Sequence, residues 1–491
     1  MSDQSLIPLI IVLLYFAVTV AIGVLAGKKT KGSDAFHGAG MGIMAIVFAS
    51  ASEWLGGTAT TGVSEYGFNF GLSGAWYTLA NGIGVMVLAL LFAKMYRSLG
   101  VGTVPAIIEK FFGKNARIVS SVLLTIVMLA VGISQMIAAG KLGESLMGFD
   151  YAVTCVVFAA VFIIYTLAGG MKSVASTSTL HMMFMYFGAI LAIVLALFKV
   201  GGVSELKTGV AAVEAEMAAA GQRTGFFNMF TIGMPKVSSW IIASVLGACT
   251  AQAGIQPVLG AKDEHTAKKA SILTAFVVAP FGIFTALLGI IARVMSHNGT
   301  LLDVNGDLVT NGKNALYALM MNLNPVAGGI ILASILAAIL STASPIILAS
   351  GTMITKDLYQ RVFKPEASDK EVLFVSRLTT ALSGVVCCVL AILLVNSTAV
   401  LDIVYSAYSL RGALFIIVLY GIYWKRSSGK AACWSMVFTA VAAVGWVAVK
   451  VATGSFPISN SISETYAAVV VAAVSYLVLN LIFPKKELKS A

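Results

Sequence analysis

Residues Ile339 to Ala349 have the sequence ILSTASPIILA and lie inside a long apolar segment of the chain. Three hydroxyls, those of Ser341, Thr342 and Ser344, fall within about one helical turn of one another. Hydroxyl and carbonyl oxygens are hard ligands, and a small uncharged group of them at bilayer depth suits a weakly held alkali cation better than catalysis. The segment therefore predicts a membrane helix that carries one half of a sodium site.

The composition of the whole chain is that of an integral membrane protein. Of its 491 residues, 59% are hydrophobic and 11% are charged, and the mean hydropathy is +0.94. In soluble globular domains, by contrast, about 25% of residues are charged. The expected surroundings are a lipid bilayer.

Apolar runs of sufficient length predict an all-α protein with thirteen transmembrane helices. The predicted helices cover approximately residues 6–27, 43–67, 73–96, 117–146, 150–168, 174–200, 235–258, 268–295, 325–354, 371–395, 398–424, 430–452 and 463–484. The first run lacks a preceding basic region and a following cleavage site, so we expect it to be retained. An odd number of helices places the termini on opposite sides.

Basic residues predict the orientation of these helices. With the N-terminus outside, 23 of the 32 Lys and Arg residues fall on the inner side. The positive-inside rule then places the C-terminus in the cytoplasm of a cell with a bacterial-type inner membrane. This asymmetry explains the formal net charge of +11, which therefore implies no nucleic-acid partner. Of the two long outer loops, 201–234 has helical composition, and 296–324, rich in Asn, Gly and Asp, is predicted to be irregular.

The sequence shows no catalytic or metal-binding constellation. The five cysteines lie in or beside apolar runs, without the paired spacing of a disulfide framework or a zinc site. The four histidines are scattered, and none has a metal-ligand partner at helical spacing. Because a membrane enzyme would need an acid–base pair or a metal triad, we predict that the protein is not an enzyme.

Two predicted helices are interrupted at corresponding places. The second contains LGGTATTG (55–62), and the seventh contains LGACTAQAGIQPVLG (246–260). A glycine-rich stretch alone is more often a packing seam, but a broken helix at the head of each half is typical of inverted-repeat transporters. We therefore predict an N-terminal helix and loop (1–42), a first repeat (43–200), an extracytoplasmic loop (201–234), a second repeat (235–424), and two C-terminal helices with a short tail (425–491).

Five motifs occur in a fixed order over nearly the whole chain. They are SEWLGGTATTGVSEYGFNFGLSGAW (52–76), YTLAGGMKSV with the following TST (165–179), QPVLGAKDEHTAKKA (256–270), ILSTAS with the downstream TKDLYQR (339–361), and YGIYWKR (420–426). Together they resemble the solute:sodium symporter family, which includes sodium-coupled carriers of sugars, proline, sialate, pantothenate and choline. One such motif would be weak evidence, whereas five in order are specific.

This resemblance implies a LeuT-type core of five plus five helices that works by alternating access, with one helix before it and two after. It also implies a sodium ion between the first and eighth core helices. Carried over by position, the sodium ligands are the carbonyls of Ser52, Leu55 and Ala338 and the hydroxyls of Ser341 and Thr342. Five uncharged oxygens would bind sodium weakly enough to release it.

Two departures from the family argue against a second sodium ion. Family members with a second sodium carry an aspartate in a Thr-Asp pair of the fifth core helix, where this chain has Thr177 and Ser178. They also place further hydroxyls along the eighth core helix, where Ser344 is followed here by Pro345. We therefore expect a single sodium ion.

A substrate pocket is expected beside the two breaks. With the tenth core helix, its predicted lining is Trp54, Thr58, Ala59, Tyr77 and Gln252. Trp54 has a position similar to that in the choline-carrier branch, where an aromatic face holds a quaternary ammonium. That branch has a tryptophan in place of Ala251 and an aspartate in place of Ser344, so choline itself fits this chain less well.

Arg411 lies roughly at mid-membrane within YSAYSLRGALF. A charge in that position costs at least ~2.5 kcal/mol on insertion scales, so it is expected to be paired or to face a cavity. Two roles stay open for it: an ion pair with Glu53 or Asp402, and a fork for a substrate carboxylate. Glu53 and Glu65 are candidates for a helix–helix tether, a proton site or a contact for a substrate amine.

The sequence thus predicts a sodium-coupled secondary active symporter that imports a small organic solute. The expected solute is a carboxylate or a zwitterion such as an amino acid. Two alternatives stay open, namely a sodium-coupled choline or betaine carrier and a transport-dead membrane sensor on the same fold. Long cytoplasmic tails would favour the sensor, and this sequence ends a few residues after its last predicted helix.

Overall fold

The computed structural model describes residues 3–27, 40–303, 305–395, 400–424 and 426–484, and this part of the chain contains nineteen α-helices and no β-strand. In chain order the helices are α1 (Asp3–Gly27), α2 (Ile43–Ala51), α3 (Val63–Phe70), α4 (Trp76–Val87), α5 (Ala93–Ser98), α6 (Val104–Phe112), α7 (Lys114–Met147), α8 (Tyr151–Val200), α9 (Val203–Ala219), α10 (Met234–Ala248), α11 (Gln252–Leu259), α12 (Glu264–Val278), α13 (Phe281–His297), α14 (Gly312–Met321), α15 (Pro325–Thr352), α16 (Asp369–Leu394), α17 (Val400–Tyr423), α18 (Gly429–Thr453) and α19 (Glu464–Ile482). The prediction of an all-α protein is confirmed.

Eleven helical segments of the described residues are long and apolar enough to cross a membrane, against the thirteen predicted. The two counts differ at two places. The predicted helices 43–67 and 73–96 contribute one continuous apolar stretch, Thr58–Ser98. The predicted helix 150–168 contributes only a shorter apolar helix, Tyr151–Ile164. The chain is therefore a multi-pass membrane protein, and the count of thirteen stays a prediction.

Both predicted helix breaks are present. Helix α2 ends at Ala51, and the chain resumes helical geometry in the π-helical turn Thr58–Gly62 that leads into α3. Helix α10 ends at Ala248, and α11 begins at Gln252. A third break lies in α8, where Gly170 has φ 56° and ψ −147°, so the predicted helices 150–168 and 174–200 meet at this glycine without a loop.

Helix α15 lies at the centre of the molecule. Of the residues in the most apolar stretch of the membrane span that starts with α15, 94% are buried. The corresponding fractions are 22% for α1 and 28% for α18. The peripheral helices expose large apolar side chains instead, such as Leu14 at 65% and Val451 at 81%. Exposed apolar side chains at these positions suit a lipid environment. The hydroxyls of ILSTAS lie in the protein interior instead, because they belong to the buried helix α15.

The two long loops each contain a helix. Helix α9 forms in 201–234, as its composition indicated. The prediction that 296–324 is irregular is wrong for its second half, where α14 forms. Asn311 caps this helix, since its side chain accepts a hydrogen bond from the Asn314 N–H at 3.3 Å. Composition concealed the helix because Asn and Gly at its start are also typical of loops.

An ionic cluster lies where the chain continues beyond α15. Arg117 contacts the fully buried Asp357 at 2.5 Å and Glu109 at 2.6 Å, and Arg361 contacts Glu109 at 2.5 Å. Burial alone would raise the pKa of Glu109, but hydrogen bonds from Arg361 and Arg117 outweigh it and lower this pKa below its ordinary value. Thr103, the cap of α6, donates to Asp357 at 2.8 Å. The cluster thus joins α6 and α7 to the continuation of α15.

Helices α3 and α13 approach each other closely through two glycines. A Cβ on Gly289 would lie 2.2 Å from the carbonyl oxygen of Ser64, and a Cβ on Gly67 would lie 2.4 Å from that of Ala286. Backbone atoms cannot rotate away as side chains can, so this spacing requires glycine.

We predict that Gly289→Ala lowers the thermal unfolding temperature of the purified protein. The added methyl group forces the two backbones apart, and overpacking of this kind typically costs about 1–3 kcal/mol. The measurement is the fraction of monodisperse protein that remains after heating. Gly445→Ala in α18 is the control, because nothing lies within 4 Å of its added Cβ. Equal unfolding temperatures for the two variants would contradict the close contact.

Candidate functional site

The five oxygens predicted to bind sodium lie together in the structure. The Thr342 hydroxyl donates to the Ser52 carbonyl at 2.5 Å. The Ser341 hydroxyl lies 2.8 Å from the Ala338 carbonyl and 3.5 Å from the Leu55 carbonyl. All five residues are buried, with at most 2% of their surface exposed. The break after α2 therefore brings two carbonyls to α15, which supplies one carbonyl and two hydroxyls, and none of these five oxygens belongs to a carboxylate.

This donor set fits a sodium ion. The two hydroxyls now direct their protons at carbonyls, but a hydroxyl rotor can turn its lone pairs toward a cation instead. Ser52 and Leu55 lie beyond the last residue of α2, where carbonyls lack partners in their own helix. A Cβ on Gly56 would lie 2.3 Å from the Thr342 hydroxyl oxygen, so this glycine lets the break approach α15.

Ser178 and Ser344 occupy the two positions that argued against a second sodium ion. The hydroxyl of each lies within hydrogen-bond distance of another hydroxyl. The Ser52 hydroxyl donates to that of Ser178 at 2.9 Å, so Ser178 lies at the edge of the candidate sodium site. The hydroxyls of Thr166 and Ser344 lie 2.9 Å apart. These contacts add neutral oxygens rather than the negative charge of an aspartate.

Gln135 on α7 also contacts the first break, and sequence reasoning missed it. Its Oε1 accepts a hydrogen bond from the Gly57 N–H at 2.7 Å, and its Nε2 donates to the Thr58 hydroxyl at 3.0 Å. The only signal in the sequence is an amide side chain inside a long apolar run. Such a residue needs an internal partner in a membrane, but spacing alone does not identify the partner.

Three of the predicted substrate residues have their polar groups engaged by neighbouring helices. The Thr58 hydroxyl contacts Gln135, and the Ala59 carbonyl accepts a hydrogen bond from the Thr285 hydroxyl at 2.7 Å. The Gln252 side chain accepts from the Val104 N–H at 2.7 Å and donates to the Gln256 side chain at 3.2 Å. Gln252 thus connects the second break to α6.

Of the other three, Tyr77 and Arg411 lie in a buried cluster of charged and aromatic groups, and the buried Trp54 packs against Gly254. Arg411 Nη1 contacts Glu53 Oε1 at 2.6 Å, with both side chains fully buried. The Arg411 guanidinium lies 3.8 Å from the Tyr408 ring centroid, and the Tyr408 hydroxyl lies 3.2 Å from that of Tyr77. The ion pair with Glu53, one of the two predicted roles of Arg411, is therefore present. The side chain of Asp402 lies outside the described residues.

Several polar atoms of this cluster and of Trp54 are buried without a hydrogen-bond partner in the described part of the chain. They are Nε and Nη2 of Arg411, Oε2 of Glu53 and Nε1 of Trp54. Buried polar groups in native proteins nearly always have partners, so orphans of this kind indicate a missing ligand or water. Glu65 lies apart from them, beside Lys141 and Lys313 at a cavity of about 20 Å³.

Aromatic rings from four elements cover this cluster. The Tyr405 ring stacks on Trp240 with a centroid distance of 4.4 Å and meets the Tyr77 ring edge-on at 5.9 Å. Tyr66 packs on Trp240 at 5.2 Å. Since Trp54, Tyr77 and Arg411 are at most 1% exposed, the structure holds the cluster closed to solvent.

Comparison with known proteins places this geometry in context. The model of the sodium:solute symporter family (SSF) matches residues 36–439. The chain is 26% identical over 445 residues to the osmoregulated proline transporter OpuE of Bacillus subtilis (strain 168). The aligned region covers 88% of this chain and 87% of OpuE. It is 23% identical over 450 residues to the sodium/glucose cotransporter of Vibrio parahaemolyticus, which covers 87% of this chain and 82% of that protein.

The fold also has a solved counterpart. A Na⁺-coupled sialic acid symporter in its substrate-bound outward-open state superposes with a TM-score of 0.78, covering 99% of this chain and 100% of that chain. The two sequences are 20% identical, so this likeness concerns the fold alone.

We predict that Ser341→Ala and Thr342→Ala each raise the sodium concentration for half-maximal uptake about tenfold, the equivalent of about 1.4 kcal/mol. Each change would remove one of the five candidate oxygen ligands while leaving the helix intact. The measurement is sodium-dependent solute uptake at matched membrane protein levels. Ser350→Ala is the control, because this buried hydroxyl on α15 donates to the Ile346 carbonyl of its own helix at 3.1 Å. Unchanged sodium dependence in both test variants would refute the site.

We predict that uptake of a neutral solute moves one elementary charge per molecule. Ser178, beside Ser52, is a neutral hydroxyl at the position where the resemblance places the aspartate of two-sodium members, so we expect one coupling ion. Parallel sodium and solute fluxes in proteoliposomes measure the ratio. A ratio of two in the unaltered protein would contradict the prediction, whereas Ser178→Asp should increase sodium binding by placing a carboxylate beside Ser52.

Proposed function

Because the chain belongs to the sodium:solute symporter family, and is thus a sodium-coupled carrier of a small solute and not an enzyme, we propose that its solute is a carboxylate or zwitterion such as an amino acid. The observation that carries this proposal is the set of unpartnered atoms on the buried Arg411–Glu53 pair. We also propose that the protein imports this solute by alternating access. The two repeats would be 43–200 and 235–424, with the N-terminus outside.

One edge of the Arg411 guanidinium has no hydrogen-bond partner among the described residues and lies against Gly247. Nη1 contacts Glu53, while Nε and Nη2 are buried and unpartnered. These two nitrogens lie side by side on a planar group, which is the geometry that takes the two oxygens of a carboxylate. Each buried donor left unsatisfied costs about 1–3 kcal/mol, so a bound carboxylate would gain from groups that are already desolvated.

Glu53 offers the complementary atom. Its Oε2 is buried and unpartnered beside the same ion pair, and it would accept hydrogen bonds from a substrate ammonium. A zwitterion with both groups satisfies Arg411 and Glu53 together. Choline has neither a carboxylate for Arg411 nor an N–H for Glu53, and a betaine satisfies only Arg411. The pair therefore favours an amino acid over the choline or betaine alternative.

The similarity to a curated proline transporter supports the same class of substrate, since proline is a zwitterion. The similarity to a sodium/glucose cotransporter shows that related proteins of this length also carry uncharged solutes. A sugar would not, however, supply the negative charge that the free edge of Arg411 favours. The buried charges of this chain therefore support a zwitterion rather than a sugar.

We further propose that sodium is held by Ser52, Leu55, Ala338, Ser341 and Thr342. Glu53 lies between Ser52 and Leu55 in one short turn. An ion bound by the carbonyls of Ser52 and Leu55 would therefore fix the position of Glu53 relative to the substrate. A sodium ion that enters down the membrane potential supplies about 2.3 kcal/mol per 100 mV, in addition to its concentration gradient. This energy is available to concentrate the solute.

We predict that Arg411→Lys weakens apparent substrate affinity at least about tenfold, while the sodium requirement changes far less. Lysine keeps the charge but loses the fork. The measurement is concentration-dependent uptake of radiolabelled amino acids in proteoliposomes, with Arg223→Lys in an outer loop as the control. An unchanged substrate affinity, or a substrate that is a cation without an acidic group, would exclude the carboxylate contact.

A second pair of variants separates substrate binding from a purely structural role. Arg411→Gln should lower the yield of folded protein, because it leaves Glu53 as an unpaired buried charge at a cost of about 3–5 kcal/mol. Glu53→Gln combined with Arg411→Gln should restore the yield without restoring transport. If the double variant transports with unchanged affinity, the ion pair is only a tether between helices.

A further inference from the structure

A second cavity, of about 840 Å³, lies between α10, α17, α18 and the segment 454–464. None of the candidate sodium or substrate residues lines it. Its walls fall into two chemically different parts. The first is polar and sits at helix ends, with Lys236 in the first turn of α10, Lys450 in the last turn of α18 and Glu464 at the start of α19.

The second part of the wall is apolar and includes residues one turn further into two of these helices. Val447 precedes Lys450 by three residues and Trp240 follows Lys236 by four, which places them about 4.5 Å and about 6 Å deeper along their axes. Leu394, the last residue of α16, and Val451, which follows Lys450, add apolar surface at the level of the helix ends. Val451 is 81% exposed and continues a row of exposed apolar residues on α18. The cavity therefore borders the surface that faces the bilayer.

The polar part carries a net positive charge, and the position of one of its ammonium groups is fixed by an aromatic ring. Two lysines face one glutamate, and Lys450 Nζ lies 4.6 Å from the Phe456 ring centroid. Lys236 is held more tightly, since its Nζ donates to the Tyr66 hydroxyl at 2.9 Å. An aromatic contact leaves the hydrogen-bond donors of an ammonium available to an anion. Lys450 is therefore the group expected to contact a ligand.

We propose that this cavity binds an anionic phospholipid from the adjoining leaflet. Its phosphate would lie at Lys450, near the interface where helix ends and headgroups meet, and an acyl chain would lie deeper, along Val447 and Trp240. A soluble anion would make no use of the exposed apolar wall, and a neutral hydrocarbon would make no use of Lys450. The ordering of charge above apolar surface matches a lipid from headgroup to tail.

The bound lipid would adjoin the aromatic cover of the substrate cluster. Tyr405 and Trp240 line the cavity, and Tyr405 also meets Tyr77 and Tyr408 with ring centroids 5.9 Å from each. A lipid that fills the cavity would therefore restrict movement of Tyr405 and Trp240. The lipid would act on transport rate rather than on which solute is carried.

The test compares lipid retention by three purified variants in detergent, measured by native mass spectrometry during titration with dioleoylphosphatidylglycerol or dioleoylphosphatidylcholine. Lys450→Gln should lower affinity for the anionic lipid about fivefold, the contribution of one lysine near an anionic surface. Lys199→Gln is the matched control, because it removes an exposed lysine from the last turn of α8. Val447→Trp should exclude both lipids by filling the apolar part without changing the charge.

Three outcomes would overturn the proposal. Equal binding of the anionic lipid by Lys450→Gln and Lys199→Gln would show that Lys450 does not contact it. Equal affinity of the unaltered protein for the two lipids would indicate an uncharged groove. Displacement of the anionic lipid by millimolar glycerol phosphate would indicate a soluble-anion site. None of these outcomes depends on which solute is transported, so they leave the proposed function to its own tests.

Discussion

The structure depends on one break in a membrane helix, residues 52 to 57, where the chain leaves helical geometry inside an apolar core. Backbone groups released there have no lipid or water partner, so the protein must satisfy them. Helices α15 and α7 both do so, since Thr342 donates to Ser52 and Gln135 accepts from Gly57. The break is thus a buried polar centre on which neighbouring helices pack. Its two candidate ligand carbonyls have no partner in their own helix, which is the reason that a cation site can exist here.

The buried ion pair extends this centre to the second break. Glu53 follows Ser52 directly and binds Arg411 of α17, while the Arg411 carbonyl accepts a hydrogen bond from Thr250 in the break between α10 and α11 at 2.7 Å. Removing one partner of a buried pair is far more costly than the pair is stabilising. Arg411 therefore makes the geometry of one break sensitive to the other, which is the physical connection that coupling between ion and solute requires.

The proximity of Ala338, Ser341 and Thr342 was predictable from local spacing, whereas Ser52 and Leu55 entered the candidate set through the family resemblance. Ala338, Ser341 and Thr342 share one face of a helix whatever the tertiary structure, and the glycine-rich break was visible as a pattern. The partner of Arg411 was not predictable, because Glu53 and Asp402 are both acidic residues in apolar runs and only packing distinguishes them. Gln135 was missed for the same reason, and Gln252 was expected to line a pocket because the position of α6 has no local signal.

Helix α6 shows how much of the site lies in such non-local contacts. Its cap Thr103 donates to Asp357, which lies on the continuation of the helix that carries Ser341 and Thr342. Its first N–H, that of Val104, donates to Gln252 at the second break. Any movement that separates α6 from either element must break a buried hydrogen bond, and the Asp357 carboxylate would lose a partner in the interior. The helix that carries Ser341 and Thr342 and the second break are therefore joined through the same short helix, so a displacement of α6 from both would break both contacts.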